Sequence, residues 1–322
     1  MIPIIPEPPG RGSRPPPARR LSWHPMTDSP PDAVARFPGG RLSPTDWTTL
    51  AGVAADHGGD IGLAPKGGVL VRRAGGEPLS RTDLVSAGLA PIVGDRRLPH
   101  VIASPMAGRL HGHHDLADLV ERLCTELLGR TGPPVPRRSL LVGLDDGSGD
   151  VLAHAPDVAV VGGGPDGSVR VHLAGQPEGS EIAATDAPRV LADLADALLR
   201  SPEAVRAVGD PDAPDHLVVV STDADLTPSS RPAATTAVEV PPVGWVDTID
   251  GLVSLLAVVP HGIVPARLAE FLGAVDRPST VSADRVIGLH ELTEDMAEQV
   301  VRVLAPMGMV FDASSPWVTG SA

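Results

Sequence analysis

Two stretches of the chain, far apart in sequence, carry the same punctuation. Setting Phe37 against Val259 aligns Pro38 with Pro260, Gly40 with Gly262, Leu50 with Leu272 and Val53 with Val275. Proline presets φ for a turn and glycine supplies left-handed backbone, so each stretch predicts a turn leading into helix, strand, helix. A second echo follows in the same order: Ala103-Ser104-Pro105-Met106 and Ser314-Ser315-Pro316-Trp317. Self-similarity of this kind predicts one supersecondary unit used twice, with the second copy cut short.

Composition removes several function classes. The 26 Lys+Arg and 40 Asp+Glu give a net charge of −14, which opposes a nucleic-acid surface. The chain has one cysteine, Cys124, so it forms no intrachain disulfide and no multi-thiolate metal site. No apolar run reaches the roughly 18–20 residues that span a bilayer. Residues 1–31 hold ten of the 36 prolines and no secretory h-region, which predicts a disordered tail on a cytoplasmic protein.

Order is expected from Val34. Ser43-Pro44-Thr45-Asp46 reads as a helix start, with Ser as cap and Pro at the first position. Residues 60–64 and 68–72 read as strands around the Pro65-Lys66-Gly67 turn, and 80–87 as a second capped helix. Further on, 101–104, 139–144, 158–161 and 168–173 read as strands, and 115–128 and 186–199 as helices. Leu116, Leu119, Val120, Leu123 and Leu127 recur at helical spacing on the first of these, which also carries Cys124. An edge strand is predicted at 217–220 inside a Pro/Asp/Ser/Thr-rich linker. Beyond it come strands at 252–259, 286–289 and 309–311 and helices at 265–275 and 293–304.

Three clusters could carry chemistry. His111, His113, His114 and Asp115 could ligate zinc or nickel, and read more simply as a loop with Asp115 capping the next helix. Asp145 to Asp150 looks calcium-like, but the twelfth position of such a loop would be Pro156, so it reads as a hairpin turn. Gly162-Gly163-Gly164 follows a strand and leads to another strand, hence a turn and not a dinucleotide loop. No G-x-S-x-G, P-loop or H-E-x-x-H text is present. Against the acidic background, Lys66, Arg72, Arg73, Arg96, Arg97 and Arg109 are the candidate anion binders, suited to a polycarboxylate if folding gathers them.

The order of motifs resembles the sulfite/nitrite reductase superfamily and, within it, the precorrin-3B synthase family of cobalamin biosynthesis. Residues 37–43 (FPGGRLS) are similar to the family's L-P-G-G-x-L-T. Residues 61–72 (IGLAPKGGVLVR) are similar to L-E-L-T-S-R-G-N-L-Q-L-R, and 101–108 (VIASPMAG) to V-V-A-S-P-L-A-G. Residues 144–151 (LDDGSGDV) match L-D-D-G-R-G-D-V, and the text around 300–317 continues the match. The resemblance implies an α+β fold: two ferredoxin-like half-domains of the nitrite/sulfite reductase type flanking one sirohaem-type α+β module. The corresponding division is a disordered tail at 1–33, half-domains at 34–92 and 243–312, the module at 93–208, a linker at 209–242, and the start of a truncated second module at 313–322.

The resemblance also implies an oxidoreductase using a 4Fe–4S cluster and sirohaem, or acting on a tetrapyrrole. Lys66, Arg72, Arg97, Ser104 and Arg109 are then the candidate residues for tetrapyrrole carboxylates. The departures are specific. The family's cluster cysteines would begin one residue past Ala322, so the cluster is not expected on this chain alone. Lys66 stands where the family has Arg, and a second family Arg aligns with Pro99, two residues from Arg97. The expected function is a precorrin-3B-synthase-like protein, inactive by itself. Its alternative is a non-enzymatic tetrapyrrole-binding or partner subunit that completes a separately encoded cluster module.

Overall fold

The two Pro–Gly turns set the architecture. In the computed structural model Pro38–Gly40 is a 3-10 turn with Gly39 and Gly40 at φ 64° and 67°. Pro260–Gly262 repeats it, with His261 and Gly262 at φ 58° and 66°. The structure describes residues 34–89, 99–130, 140–163, 167–173, 179–200, 227–228 and 242–319. The 1–33 tail, Arg96, Arg97, the 217–220 strand and most of the 209–242 linker lie outside the described residues.

The first half holds β1 (Val34–Arg36), β2 (Arg41–Leu42), α1 (Pro44–Asp56), β3 (Asp60–Ala64), β4 (Gly68–Val71) and α2 (Arg81–Ser86). The middle holds β5 (His100–Ala103), α3 (Ala117–Gly129), β6 (Leu141–Asp145), β7 (Val158–Val161), β8 (Ser168–Leu173), β9 (Ser180–Ala183) and α4 (Ala187–Arg200), with β10 at Thr227–Pro228. The second half holds β11 (Gly244–Asp247), β12 (Val253–Ala257), β13 (Ile263–Pro265), α5 (Ala266–Ala274), β14 (Ser279–Val281), β15 (Ile287–Leu292), α6 (Glu294–Leu304) and α7 (Pro316–Thr319). Helix starts follow local chemistry. Ser43 and Asp46 form a capping box at α1, and Ser80 and Asp83 form another at α2.

The halves exchange strands. A four-stranded sheet runs β1-β4-β3-β13, so its last strand comes from the second half. A five-stranded sheet runs β11-β12-β15-β14-β2, ending on a strand from the first half. Each exchanged strand directly follows one of the two turns. One core serves both halves: Trp47 and Leu50 of α1 and Ile61 and Leu63 of β3 are buried with Leu268 and Leu272 of α5 and Leu289 of β15.

Trp47 is fully buried, and its indole Nε1–H donates to Ser279 Oγ at 2.7 Å. Ser279 Oγ in turn donates to the Leu42 carbonyl at 3.0 Å. Ser279→Ala leaves a buried N–H and a carbonyl without this partner, and should lower unfolding free energy by about 1–3 kcal/mol. Trp47→Phe spares the Ser279–Leu42 bond, so chemical denaturation of both variants tests whether the hydroxyl carries the link.

The middle sheet runs β10-β9-β8-β7-β6-β5. β5, β6 and β7 are parallel; the remaining pairs are antiparallel. α3 and α4 cover one face, burying Leu119, Leu123 and Leu127 with Val190, Leu191 and Leu194. The edge strand β5 is covered by the first turn: a Cβ on Gly39 would meet Ala103 Cβ at 3.3 Å and Val120 Cγ2 at 3.2 Å. On the opposite face Ile102, Leu141 and Val151 pack with Ala283 of the second half.

Several expectations need correction. Asp145 to Asp150 is not a hairpin tip, because β7 runs parallel to β6 and the loop is part of a crossover. The helix read from Pro265 starts at Ala266, since Ile263–Pro265 pairs with β3 as a strand. β1, β9, β11 and β14 are strands of three or four residues each, too short for an alternating pattern to show in the sequence. Among the described residues no helix is long and apolar enough to cross a membrane.

Candidate functional site

The carboxyl ends of parallel strands are where α/β sheets present ligand-binding groups. Here β5, β6 and β7 end at Ser104, at Asp145 with Asp146, and at Gly162. Asp145 is fully buried, and its carboxylate gathers the loop around it. Its Oδ1 accepts from the N–H groups of Gly147 and Gly149 at 2.9 Å each, and its Oδ2 from Val151 and Leu152 at 3.1 Å each. Ser104 Oγ donates to Asp150 Oδ1 at 2.5 Å and accepts from the Asp146 N–H at 3.1 Å. Asp146 Oδ2 lies 2.8 Å from His113 Nδ1, and the His114 N–H donates to the Asp146 carbonyl at 3.1 Å. The histidine loop and the aspartate loop, separate in sequence, are thus one hydrogen-bonded assembly.

Asp150 lies at the buried centre of this assembly. Burial, and then the charges of Asp145 and Asp146, push its carboxyl up to about 7, against the opposing effect of the Ser104 hydroxyl bond. Oxygens of Asp145, Asp146 and Asp150 lie within 4.8 Å of one another. Backbone donors occupy both Asp145 oxygens, so the loop is held by N–H groups. His111 is exposed, and among the described residues the three histidines do not converge as one ligand set.

Among the described residues the candidate anion binders do not form a single cluster. Lys66 is exposed at φ 64° in the Pro65–Gly67 turn. Arg72 lies past the other end of β4, so four strand residues, roughly 13 Å, separate the two. Arg109 is half-buried above the second half's sheet, with Nη2 3.5 Å from Glu291 Oε1 and Nη1 donating to the Ala107 carbonyl at 3.3 Å. Ser104 is buried at the far end of β5 from the Lys66 turn. Among the described candidates Lys66 is the one exposed residue, Arg72, Arg73 and Arg109 being half-buried, and it has neighbours that carry no motif.

Those neighbours are Arg36, His100 and Arg285. His100 is buried, and burial, then the charges of Arg36 and Lys66, drop its imidazole to about 3. Arg285 sits at φ 64°, the same left-handed conformation as Lys66, in the turn before β15 that corresponds to the Lys66 turn before β4. The two turns touch: the Lys66 N–H donates to the Ala283 carbonyl at 3.0 Å. The repeat could have pointed to Arg285, but Lys66 and Arg285 are three residues out of step with the Phe37–Val259 alignment.

A second buried polar group lies beneath Arg109. β15 carries a bulge, with Val253 opposite Leu292 but Leu255 opposite Leu289. The bulge points fully buried His290 at Ser254 Oγ (3.0 Å from Nδ1) and Thr280 Oγ1 (2.8 Å from Nε2). Burial, with Arg109 and Arg41 nearby, holds its imidazole well below the usual range, so it is neutral.

Strand-exchanged halves around a module with parallel β5–β7 define a mixed α+β fold of the nitrite/sulfite reductase type. The structure is similar to that of the NirA protein of Mycobacterium tuberculosis, with a TM-score of 0.60 at 14% sequence identity. The match covers 87% of this chain and 57% of NirA, so the chain spans little more than half the length of that neighbour. No protein-family model matches the sequence, and no curated protein does.

Proposed function

We propose that this chain binds a tetrapyrrole polycarboxylate as a precorrin-3B-synthase-like oxidoreductase component, and that it ligates no 4Fe–4S cluster by itself. The observation that carries the reading is the exposed Lys66 on its left-handed turn, beside Arg36 and His100. Lys66 would take a substrate carboxylate as a point charge, and neutral His100 would line the approach without adding charge. Arg72 is too far along the hairpin to share that carboxylate, and Arg109 is paired with Glu291.

The cluster does not fit the residues present. Four thiolates are required, and the chain has Cys124 alone. Burial and then Glu121 raise that thiol to about 11, so it is a poor ligand at neutral pH. No redox step is derived from this chain. Calorimetric titration with sirohaem tests the reading. Saturable binding is expected, weakened about tenfold by Lys66→Ala and unchanged by Arg72→Ala. No binding overturns it, and purified protein with iron and the broad visible absorption of a cluster overturns the cluster-free part.

A second reading, a partner subunit completing a cluster-bearing polypeptide, is favoured by one asymmetry. The first turn is covered by Ala103 and Val120 of the middle module. The corresponding turn in the second half meets the ring of Trp317, 4.7 Å from His261 and edge-on. A second α+β module would take the position there that the middle module takes on the first turn. Titration separates the two readings, since a pure partner subunit binds no tetrapyrrole alone.

A further inference from the structure

A cleft of about 660 Å³ opens between the first turn of α1, the side of α3 and the 276–279 loop. Pro38, Pro278, Val120 and Cys124 give it an apolar lining, and Glu121 and Asp276 stand at its edge. Glu121 Oε1 lies 3.9 Å from Nη1 of Arg41, which also lines the cleft, so it is already paired. Arg277 Nε–H, also at the cleft, is buried with no acceptor among the described residues. The cleft therefore lacks three things: an apolar filler, a cation for Asp276, which has no ion pair among the described residues, and a hydrogen-bond acceptor.

The tail preceding Val34 supplies all three within eight residues. Arg19 and Arg20 are adjacent cations, Trp23 is one of only four tryptophans, and His24 precedes Pro25. Each of these residues carries a backbone carbonyl, and Pro25 carries one with no N–H of its own, which suits an orphaned donor. The segment also reaches. Pro38, which lines the cleft, is four residues from Val34, and residues 26–34 can extend roughly 26 Å. We propose that residues 19–26 dock in this cleft in cis, with Trp23 on the apolar lining, Arg19 or Arg20 at Asp276, and a backbone carbonyl on Arg277 Nε–H. Tryptophan and arginine are the side chains that most often anchor such contacts.

The single cysteine makes the test direct, because Cys124 lies in the cleft. Iodoacetamide labelling of the full chain at about pH 9 exposes a thiolate fraction that labels at a measurable rate. Trp23→Ala and deletion of residues 2–31 should each speed Cys124 labelling about tenfold. In the full chain, Ser22→Cys should close a monomeric disulfide with Cys124 about tenfold faster than Ser13→Cys, because docking raises the effective concentration. Labelling rates equal within about a factor of two, equal closure rates, or disulfides formed only between molecules would each overturn the proposal. If the deletion variant fails to fold, the Ser22→Cys comparison decides alone.

Discussion

Gly40→Ala should cost at least about 3 kcal/mol of stability, and Gly262→Ala only about 1–2 kcal/mol, although the two residues occupy equivalent positions in the repeated turn. Both have left-handed backbone, at φ 67° and 66°, so each substitution carries the strain of an L-residue there. Their surroundings differ. A Cβ on Gly40 would lie 2.1 Å from the Val281 carbonyl oxygen, backbone that cannot move without breaking the β2–β14 pairing. A Cβ on Gly262 meets nothing closer than the Leu63 carbonyl at 3.5 Å. Urea denaturation of the two variants measures the difference directly. Equal costs would mean that the first turn is not pressed against β14.

Asp150→Asn should remove a pH dependence from the stability, with a large effect at about pH 8 and little near pH 4. The folded carboxyl titrates at about 7, above the ordinary unfolded value, so the folded state holds the extra proton through that interval. Stability from this group is therefore full below about pH 4 and is lost as pH rises to about 7, by up to about 4 kcal/mol. Asparagine keeps the acceptor for Ser104 and replaces a charge beside Asp145 and Asp146 with an amide donor. The variant should be more stable than the parent at about pH 8 and equal to it near pH 4. His100 works in the opposite sense: its depressed value makes folding less favourable as pH falls through the acid range. The quantity to measure is hence the difference between variant and parent across pH. A flat difference would mean that Asp150 is ionised throughout.

The repeated turns were legible because Pro–Gly chemistry acts locally. The strand exchange was not, because Arg41–Leu42 and Ile263–Pro265 are too short to show a period of two, and their partners lie in the other half. The Asp145 loop shows the same limit. A run of Asp and Gly announces a turn, but only the parallel pairing of β6 and β7 decides that it is a crossover. At the candidate site, residue type was readable and distance was not. Lys66 and Arg72 look like neighbours in the text and stand at opposite ends of a strand. His113 and Asp146 look unrelated and are 2.8 Å apart. His100 and Arg285 gave no sign, since the burial of one and the left-handed turn of the other come from packing between segments that share no motif.

The exchange of strands has a consequence for synthesis. Ser279 and Leu42, joined across the β14–β2 pair, are 237 residues apart. At ribosomal speeds of about 5–20 residues per second, the first half emerges and then waits roughly 10–50 s for its partner strands. Through that interval β3 has an unpaired edge and the α1 stripe has no α5 to cover it. The nascent first half thus carries an open strand edge and an uncovered apolar stripe, and this exposure ends only after the second turn has left the ribosome.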